Sequence, residues 1–442
     1  MKVRPTQLGL PFKRKGDAFA SAAETEHPVG SEQLMELVVE RDNLQVALKR
    51  VEQNRGTAGV DGMSAMQLRA YLKENWPSIK RELLFGEYMP QAVKRVEIPK
   101  PSGGRRQLGI PTVLDRFIQQ ALMQVLQAQW DRGFSESSFG FRPGRSAHQA
   151  IKSAQAHIRA GHRWVVDIDL EKFFDRVDHD KLMGRVRARV TDARVLRLIR
   201  RYLESGVLVD DALHATTIGT PQGGPLSPLL ANLLLDELDR ELERRGHRFV
   251  RYADDCNIYV RTYQAGVRVM ASITRFLGNR LKLDVNTAKS AVGRPWVRSF
   301  LGFNVSSHVN RRVSAKAINA LKQRIRAITS RTRGRKLERI IGDLRGYLPG
   351  WKAYYGIAQV RHIFRELDSW IKRRLRCYLW KQWGRAGYRE LRKRGVSRNL
   401  AWNTCKSAHG PWRLSRSPAL AFALPARYFA SLGLPRLFTE PT

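Results

Sequence analysis

The sequence predicts an α+β fold with helical appendages. Apolar residues alternate or run together in several short segments, which is typical of strands, and recur every three or four residues in longer ones, which is typical of helices. Only the helical pattern continues beyond Ala315, and mixed strands and helices followed by an all-helical tail indicate an α+β core. Hydrophobic residues make up 43% of the 442, a normal share for a globular protein.

At the N-terminus, residues 1–30 predict a mobile leader. They are polar and interrupted by Gly and Pro, and their apolar run is too short for a signal peptide. A helix is predicted over residues 31–53, where Leu and Val recur at helical spacing. The Gly-rich loop 54–64 separates it from a second helix that begins at Met66.

Two strands are predicted at 93–99 and 107–110, because a Ser-Gly-Gly turn signal lies between them. A helix from Ser227 is expected to begin with Pro228, whose missing N–H costs nothing in the first turn. The other predicted elements are helices at 114–130 and up to 160, a buried strand at 163–169 with a helix after it, a mostly helical region at 182–203, a hairpin at 249–260, a helix at 267–281 and a strand at 298–305.

The charge of the chain predicts a polyanionic partner. Lys and Arg total 79 against 40 Asp and Glu, which gives a formal net charge of +39. Nucleic acid is the expected partner, since Lys and Arg displace condensed counterions from phosphates. An anionic membrane surface is the alternative, but no apolar run approaches the roughly 18 residues of a spanning helix. We therefore expect a cytoplasmic protein without a membrane partner.

The three cysteines exclude two kinds of site. Cys256, Cys377 and Cys405 lie far apart, so no paired-Cys spacing predicts a zinc site. An odd number of cysteines also argues against a disulfide framework, so no disulfide partner is expected.

Acidic residues are concentrated at two places in this basic chain. Residues 167–180 contain six of them, and Asp254-Asp255 lies inside the predicted hairpin. Carboxylates that converge repel one another unless a cation lies between them, and hard oxygen ligands suit Mg²⁺. Two such ions roughly 3.5–4 Å apart can activate an attacking hydroxyl and stabilise a leaving oxygen. An isolated acidic pair is usually a solvated turn, but two acidic sites at strand or hairpin ends favour nucleotidyl transfer.

Several motifs carry a specific resemblance. Tyr-Ala-Asp-Asp at 252–255 resembles the YxDD hairpin of reverse transcriptases, and DLEKFFD at 169–175 resembles their first palm motif. Further motifs follow that family's order, namely GVDG at 59–62, VKRVEIPKPSGGRRQLGIP at 93–111, FGFRPGRS at 139–146, GTPQGGPLSP at 219–228 and FLGF at 300–303. Together they resemble bacterial group II intron-encoded reverse transcriptases, also called maturases, over roughly residues 35–440.

This resemblance implies a right-hand polymerase of α+β class, with fingers, palm, a helical thumb and a basic helical C-terminal DNA-binding region. After the mobile leader predicted at 1–30, the resulting domains are an N-terminal extension at 31–92, fingers and palm at 93–310, a thumb or maturase domain at 311–375 and a DNA-binding domain at 376–442. Many relatives carry a C-terminal nuclease with paired cysteines, and this chain shows no such spacing. It therefore looks like the endonuclease-lacking, class C-like branch.

The resemblance also implies the catalytic groups. Asp169, Asp254 and Asp255 match the family's carboxylates that hold two Mg²⁺ ions. Asp167 and Asp175 flank the first of them, and structural hydrogen bonding is the preferred interpretation for both. Phe174 matches the aromatic residue that excludes a ribose 2′-hydroxyl by steric clash, whereas its neighbour Phe173 is expected in the core.

Other residues match the family's substrate contacts. Lys100 and Arg106 match cations that meet the triphosphate of an incoming dNTP, although strand register leaves Arg105 as an alternative to Arg106. Lys289 matches a lysine that either protonates pyrophosphate or only contacts phosphate. The remaining expected contacts are Gln222 and Ala253 at the nucleotide, and Gly223, Arg142, Phe300 and Gly302 at the template or primer.

The C-terminal arm is strongly basic. Between Trp370 and Arg416 there are fourteen Lys or Arg and a single acid, Glu390. This excess is more than solubility requires, and it predicts phosphate contacts that carry no sequence readout. The resemblance assigns the region to intron RNA and target DNA, with Arg373, Arg374, Arg376 and Lys381 as the expected contacts.

The function that the resemblance implies is RNA-directed DNA synthesis, with binding of intron RNA to assist splicing and mobility. The expected partners are an RNA template, intron RNA, a DNA primer or target and dNTPs. Two alternatives stay open, namely an RNA-binding splicing cofactor without polymerase activity and a host-adopted relative that acts in DNA repair or phage defence.

Overall fold

A computed structural model describes residues 33–99, 105–209, 212–214, 219–220, 223–332 and 334–439. The predicted leader at 1–30 and two predicted nucleotide contacts, Lys100 and Gln222, lie outside these residues. The chain forms two compact units whose boundary falls between Arg298 and Ser299. The domain boundaries expected from the resemblance stay predictions.

Helices dominate the N-terminal unit. Its helices are α1 (Leu34–Val38), α2 (Arg41–Asn54), α3 (Leu68–Phe85), α4 (Val113–Trp130), α5 (Ala147–Arg159), α6 (His179–Arg187), α7 (Ala193–Glu204), α8 (Ser227–Arg244) and α9 (Tyr263–Phe276). Several begin where a hydroxyl side chain accepts a backbone N–H of the first turn, as Thr112 does for α4 and Ser146 for α5. The prediction of a single helix at 31–53 is wrong. Glu40 adopts an extended backbone and separates α1 from α2.

Eight strands of the described N-terminal unit form two sheets. They are β1 (Val93–Pro99), β2 (Arg105–Ile110), β3 (Trp164–Ile168), β4 (Val207–Val209), β5 (Ala212–His214), β6 (Arg248–Tyr252), β7 (Asp255–Val260) and β8 (Ala291–Gly293). The first sheet has the order β2-β1-β4-β5, and the second has the order β6-β7-β3-β8. The hairpins predicted at 93–110 and 249–260 are confirmed, whereas β4 and β5 were not predicted.

The second sheet carries the acidic residues. Its neighbouring strands are all antiparallel. Helices α5, α8 and α9 pack against it, and the core beside it contains Val166, Ile168, Phe249 and Ile258, all at most 1% exposed. A helix was expected directly after β3, but the chain forms a short 3₁₀ turn at Phe173–Asp175 instead.

The C-terminal unit is helical apart from one hairpin. The hairpin consists of β9 (Phe303–Val305) and β10 (Arg311–Val313), which pair antiparallel. The helices are α10 (Ala315–Ile328), α11 (Leu337–Tyr355), α12 (His362–Trp383), α13 (Gly387–Lys393), α14 (Arg398–Lys406), α15 (Pro411–Leu414), α16 (Pro418–Ala423) and α17 (Ala426–Ser431). Fully buried Leu321, Ile340, Leu344 and Leu375 form part of its core. In the described part of the chain, every helix is too short or too polar to span a bilayer.

Candidate active site

The register of the second sheet brings the two acidic motifs together. Ile168 at the end of β3 pairs with Cys256, so Asp169, the residue that follows β3, lies beside Asp255 at the start of β7. Tyr252 pairs with Asp255, which leaves Ala253 and Asp254 as a two-residue turn between β6 and β7. All three predicted catalytic carboxylates therefore lie at one edge of one sheet.

The electrostatics of Asp255 agree with this arrangement. Enclosure by protein, followed by repulsion from Asp254, raises the pKa of the Asp255 carboxyl from 3.8 to about 7. Asp167 and Asp169 add further repulsion, and Lys289 acts in the opposite direction. The residue still has surface accessible to solvent. A cation bound there would offset the repulsion from the neighbouring carboxylates and so lower the pKa of Asp255 again.

The donor set fits a divalent cation that the substrate helps to bind. Among the described residues, no three His, Cys, Asp or Glu side chains are already arranged to hold a metal ion. Mg²⁺, however, usually takes one or two protein carboxylates and completes its shell with water and substrate phosphates. Asp169, Asp254 and Asp255 are the residues that could hold such ions.

We expect metal affinity to depend on pH through Asp255. Because its pKa is raised to about 7, protons compete with the metal below that pH, and affinity without substrate falls by about tenfold per pH unit. Mn²⁺ titration between pH 6 and pH 8 measures this, with Asp255→Asn as the control that removes the dependence. Equal wild-type affinity at both pH values would contradict the assignment.

The loop before β8 holds Lys289 against Asp169. The Lys289 ammonium lies 3.3 Å from Oδ1 of Asp169, and the pair is partly open to solvent. The Asp169 N–H donates to Ser290 Oγ at 2.9 Å, and the Asn286 N–H donates to the Asp169 carbonyl at 2.8 Å. An exposed pair of this kind contributes roughly 0–1 kcal/mol to stability, so stability alone does not explain the placement.

Asp167 has a partner of its own. Arg298 donates from Nε and Nη2 to one carboxylate oxygen of Asp167, at 2.9 and 2.6 Å. It also donates to the carbonyl of Lys289. These contacts agree with the structural interpretation of Asp167 and connect it to the loop that carries Lys289.

Phe174 follows the first carboxylate on the 3₁₀ turn. Its ring lies edge-on to Phe173, with the ring centroids 5.1 Å apart. Phe173 is 2% exposed, as predicted for a core residue, whereas Phe174 is only half-buried. The carbonyl of Phe174 accepts the N–H of Thr220 at 2.6 Å. This bond holds the backbone of Gly219 and Thr220 beside Phe174. Gly223 follows three residues later in the same segment.

The other predicted contacts of the N-terminal unit vary in what the structure describes. For Arg106 only the backbone is described, and it pairs with Ile98 across the β1–β2 hairpin. Arg105, its alternative, is exposed and pairs with Glu97 at 2.6 Å. Gly223 has a φ of 145°, and a Cβ there would lie 2.5 Å from the Gly109 carbonyl oxygen, so this position requires glycine.

Arg142 is almost fully buried. Its guanidinium binds Asp131 at 2.8 Å and donates to the carbonyls of Ser135 and Ser138. A template contact by Arg142 therefore stays a prediction, and the geometry favours a structural role. Its neighbour Phe141 is 45% exposed and has a left-handed φ of 57°.

The predicted residues of the C-terminal unit are partly engaged within it. Phe300 is 9% exposed, and a Cβ at Gly302 would lie 2.7 Å from Tyr355 Oη. The guanidinium of Arg373 stacks on Trp412 at 3.7 Å. Arg374 donates to Thr329 and Arg376 to the carbonyl of Leu424, whereas Lys381 is exposed. As nucleic-acid contacts, all of these residues stay predictions.

Behind the turn lies a group that the sequence analysis missed. Arg251 and Asp239 are both fully buried and form a two-bond ion pair, at 2.7 and 2.6 Å. Arg251 also donates to the carbonyl of Ala253, whose left-handed φ of 58° costs about 1–3 kcal/mol for a non-glycine residue. A single charge inside the apolar strand FVRY was the available signal, because a buried Arg requires partners.

Comparison with known proteins gives two matching families. The reverse transcriptase (RNA-dependent DNA polymerase) family matches residues 98–305, and the maturase-specific domain of group II introns matches residues 318–396. Reverse transcriptase domains generally use divalent metal ions.

Among curated proteins, protein YkfC of Escherichia coli K12 is 36% identical over 233 residues, which cover 51% of this chain and 61% of YkfC. The group II intron-encoded protein LtrA of Lactococcus lactis is 38% identical over 200 residues, or 45% of this chain and 33% of LtrA. The chain thus spans less than two thirds of the length of either relative. Among solved structures, telomerase from Candida albicans aligns with a TM-score of 0.43 at 14% identity, over 67% of this chain and 60% of that one.

Proposed function

Because the chain belongs to the group II intron-encoded reverse transcriptase and maturase family, we propose that it is a Mg²⁺-dependent RNA-directed DNA polymerase that also binds intron RNA to assist splicing and mobility. The observation that carries this proposal is the sheet edge at which Asp169 lies beside Asp254 and Asp255. That edge falls inside the matched reverse transcriptase domain.

In this proposal each residue of the site has a defined task. Asp169, Asp254 and Asp255 hold two Mg²⁺ ions, which when bound would acidify the primer 3′-hydroxyl and neutralise the triphosphate. Phe174 lies under the sugar of the incoming dNTP and excludes a 2′-hydroxyl. Lys100 and Arg106 bind the triphosphate, together with Gln222 and the backbone of Ala253. Gly223, Phe300 and Gly302 contact the template or primer.

Lys289 is proposed to protonate the leaving pyrophosphate. Its ammonium lies 3.3 Å from Asp169, so it would be within reach of a phosphate that binds a metal ion held by that carboxylate. General-acid catalysis contributes about 10²- to 10⁴-fold, so Lys289→Met is expected to lower kcat for dNTP incorporation by about a hundredfold with little change in KM. Lys289→Arg is the matched control for charge without a readily lost proton. A rise in KM alone would assign Lys289 to phosphate binding instead.

The exposed cations of the C-terminal unit are proposed to bind nucleic-acid backbone. Lys381, Arg385 and Arg389 are all exposed. Replacing the three by Ala should reduce the salt dependence of duplex DNA binding by a slope of about 2.7, since each phosphate contact contributes about 0.9. Arg261, Arg268 and Arg275 are exposed cations of the palm side, and their triple Ala variant is the control. Equal slopes for the two variants would refute this surface.

Primer extension on an RNA template tests the polymerase proposal itself. The wild-type chain with Mg²⁺, a DNA primer and dNTPs is expected to give full-length cDNA, and omission of any of these should prevent it. The maturase-specific match at 318–396 favours splicing assistance as a second activity. A splicing assay in which Asp169→Ala retains assistance but makes no cDNA would separate the two activities.

A further inference from the structure

Arg251 uses its whole hydrogen-bonding capacity inside the palm. Nε and Nη2 bind the two oxygens of Asp239, at 2.7 and 2.6 Å. Nη1 donates to Asn232 Oδ1 and to the Ala253 carbonyl, both at 2.9 Å. Nη2 also donates to Ser138 Oγ at 2.8 Å. These five bonds account for all five N–H donors of a guanidinium, in a side chain with no exposed surface.

Stability alone is a weak explanation for this arrangement. A buried ion pair loses its hydration, and well-packed apolar residues of similar volume are often as stabilising or more so. What apolar residues cannot do is donate to the Ala253 carbonyl. That carbonyl belongs to the peptide that links Ala253 to Asp254, so the bond orients the backbone from which Asp254 projects. The left-handed φ of Ala253, 58°, means that the turn needs such a restraint.

The loop that carries Gly140 also contacts the turn and belongs to the same network. A Cβ at Gly140 would lie 2.3 Å from the Ala253 nitrogen, so the loop that carries Gly140 touches the turn directly. Asn232 Nδ2 donates to the Gly140 carbonyl at 2.8 Å. The backbone N–H of Arg251 donates to the Ser137 carbonyl at 2.9 Å. Arg251 thus connects three parts of the fold. It binds α8 through Asp239 and Asn232, the loop through Ser138, and the turn through the Ala253 carbonyl.

We propose that Arg251 is a positioning residue that fixes the Ala253–Asp254 peptide, and thereby sets the carboxylates of Asp254 and Asp255 toward Asp169. The proposal rests on the proposed polymerase function, because the residues it positions are those assigned to metal binding. Asp239 holds the guanidinium in place, and Asn232 and Ser138 fix its orientation. Arg251 touches no substrate.

The test replaces the ion pair by apolar residues of similar size. Arg251→Met with Asp239→Leu removes both charges, so neither is left buried alone. We expect the far-UV circular dichroism to stay close to wild type and the unfolding midpoint to fall moderately, because Asn232, Ser138 and the Ala253 carbonyl lose their donor, while kcat for primer extension falls about a hundredfold. Mn²⁺ affinity should weaken about tenfold, and amide exchange at residues 253–256 should accelerate. Arg189→Met with Asp236→Leu is the matched control, because that ion pair also anchors α8, here to Arg189 just after α6, and none of its described contacts reaches the turn.

A single conservative variant guards against loss of folding. Arg251→Lys keeps a positive charge for Asp239, but three donors on one nitrogen cannot replace the planar fork. We expect about a tenfold loss in kcat, with KM for dNTP little changed. Wild-type kcat and wild-type Mn²⁺ affinity in both Arg251 variants would overturn the proposal, and so would an equal loss in the control pair. If the wild-type chain made no cDNA, the proposed function would fail, whereas Mn²⁺ binding and amide exchange would still decide the role of Arg251.

Discussion

Asp254→Ala is expected to lower kcat for cDNA synthesis by about a thousandfold or more. The residue lies in the turn between β6 and β7, and its charge raises the pKa of Asp255 beside it. Removing the carboxylate takes away a proposed metal ligand at the point where the primer end would meet the nucleotide. Asp169→Asn should cause a loss of similar size, because it removes a carboxylate of the same site that lies at the end of the neighbouring strand, β3.

The control for this prediction is another acidic residue of the cluster at 167–180, which also contains Asp169. Asp180 lies within residues 167–180, but its carboxylate is exposed and pairs with Arg200 at 2.6 Å. Asp180→Asn should leave kcat close to wild type, and all variants should keep the wild-type unfolding midpoint. Single-nucleotide incorporation under saturating dNTP measures kcat directly. Synthesis by Asp254→Ala at the wild-type rate would contradict the assignment of these carboxylates as the catalytic site.

Phe174→Ala is expected to relax discrimination against ribonucleotides by on the order of a hundredfold. Its ring is half-buried against Phe173, five residues after Asp169. Truncating the ring removes the atoms that a 2′-hydroxyl would meet, so incorporation of rNTP should rise more than incorporation of dNTP falls. The measurement is the ratio of kcat/KM for dNTP and rNTP with the same base.

Phe173→Leu is the control for the aromatic pair. Phe173 is 2% exposed in the core, so this change should cost about 1 kcal/mol or more of unfolding free energy and leave the sugar ratio unchanged. If both variants lose the same stability and neither changes the ratio, Phe174 is a packing residue and the steric interpretation is wrong.

The elements that sequence predicted well have strong local signals. The hairpin of β1 and β2 combines alternating residues with a Ser-Gly-Gly turn, and the buried strand β3 is a mostly apolar run that is followed by Asp169. The helix predicted at 31–53 divides at Glu40, where the backbone is extended, because the helical spacing of Leu and Val continues across the break and gives no sign of it. Strands β4 and β5 have three residues each, too few to show a period.

The residues of the candidate site also differ in how far the sequence predicts them. The carboxylates were predictable because Asp254-Asp255 and the cluster after β3 are conspicuous in a chain of net charge +39. The five-bond network of Arg251 was not, since its partners Ser138, Asn232 and Asp239 lie on other elements of the fold. Arg142 illustrates the same limit, because the folded loop decides that this arginine points inward while Phe141 is exposed.

The proposed function has its most direct test in an experimental structure of the chain with an RNA template, a DNA primer lacking its 3′-hydroxyl, dNTP and Mg²⁺. We expect two metal ions roughly 3.5–4 Å apart, with Asp169 and Asp254 among the ligands and the triphosphate bound to both ions. Metal and nucleotide bound elsewhere, with Asp169 turned away from the Asp254–Asp255 turn, would contradict the assignment.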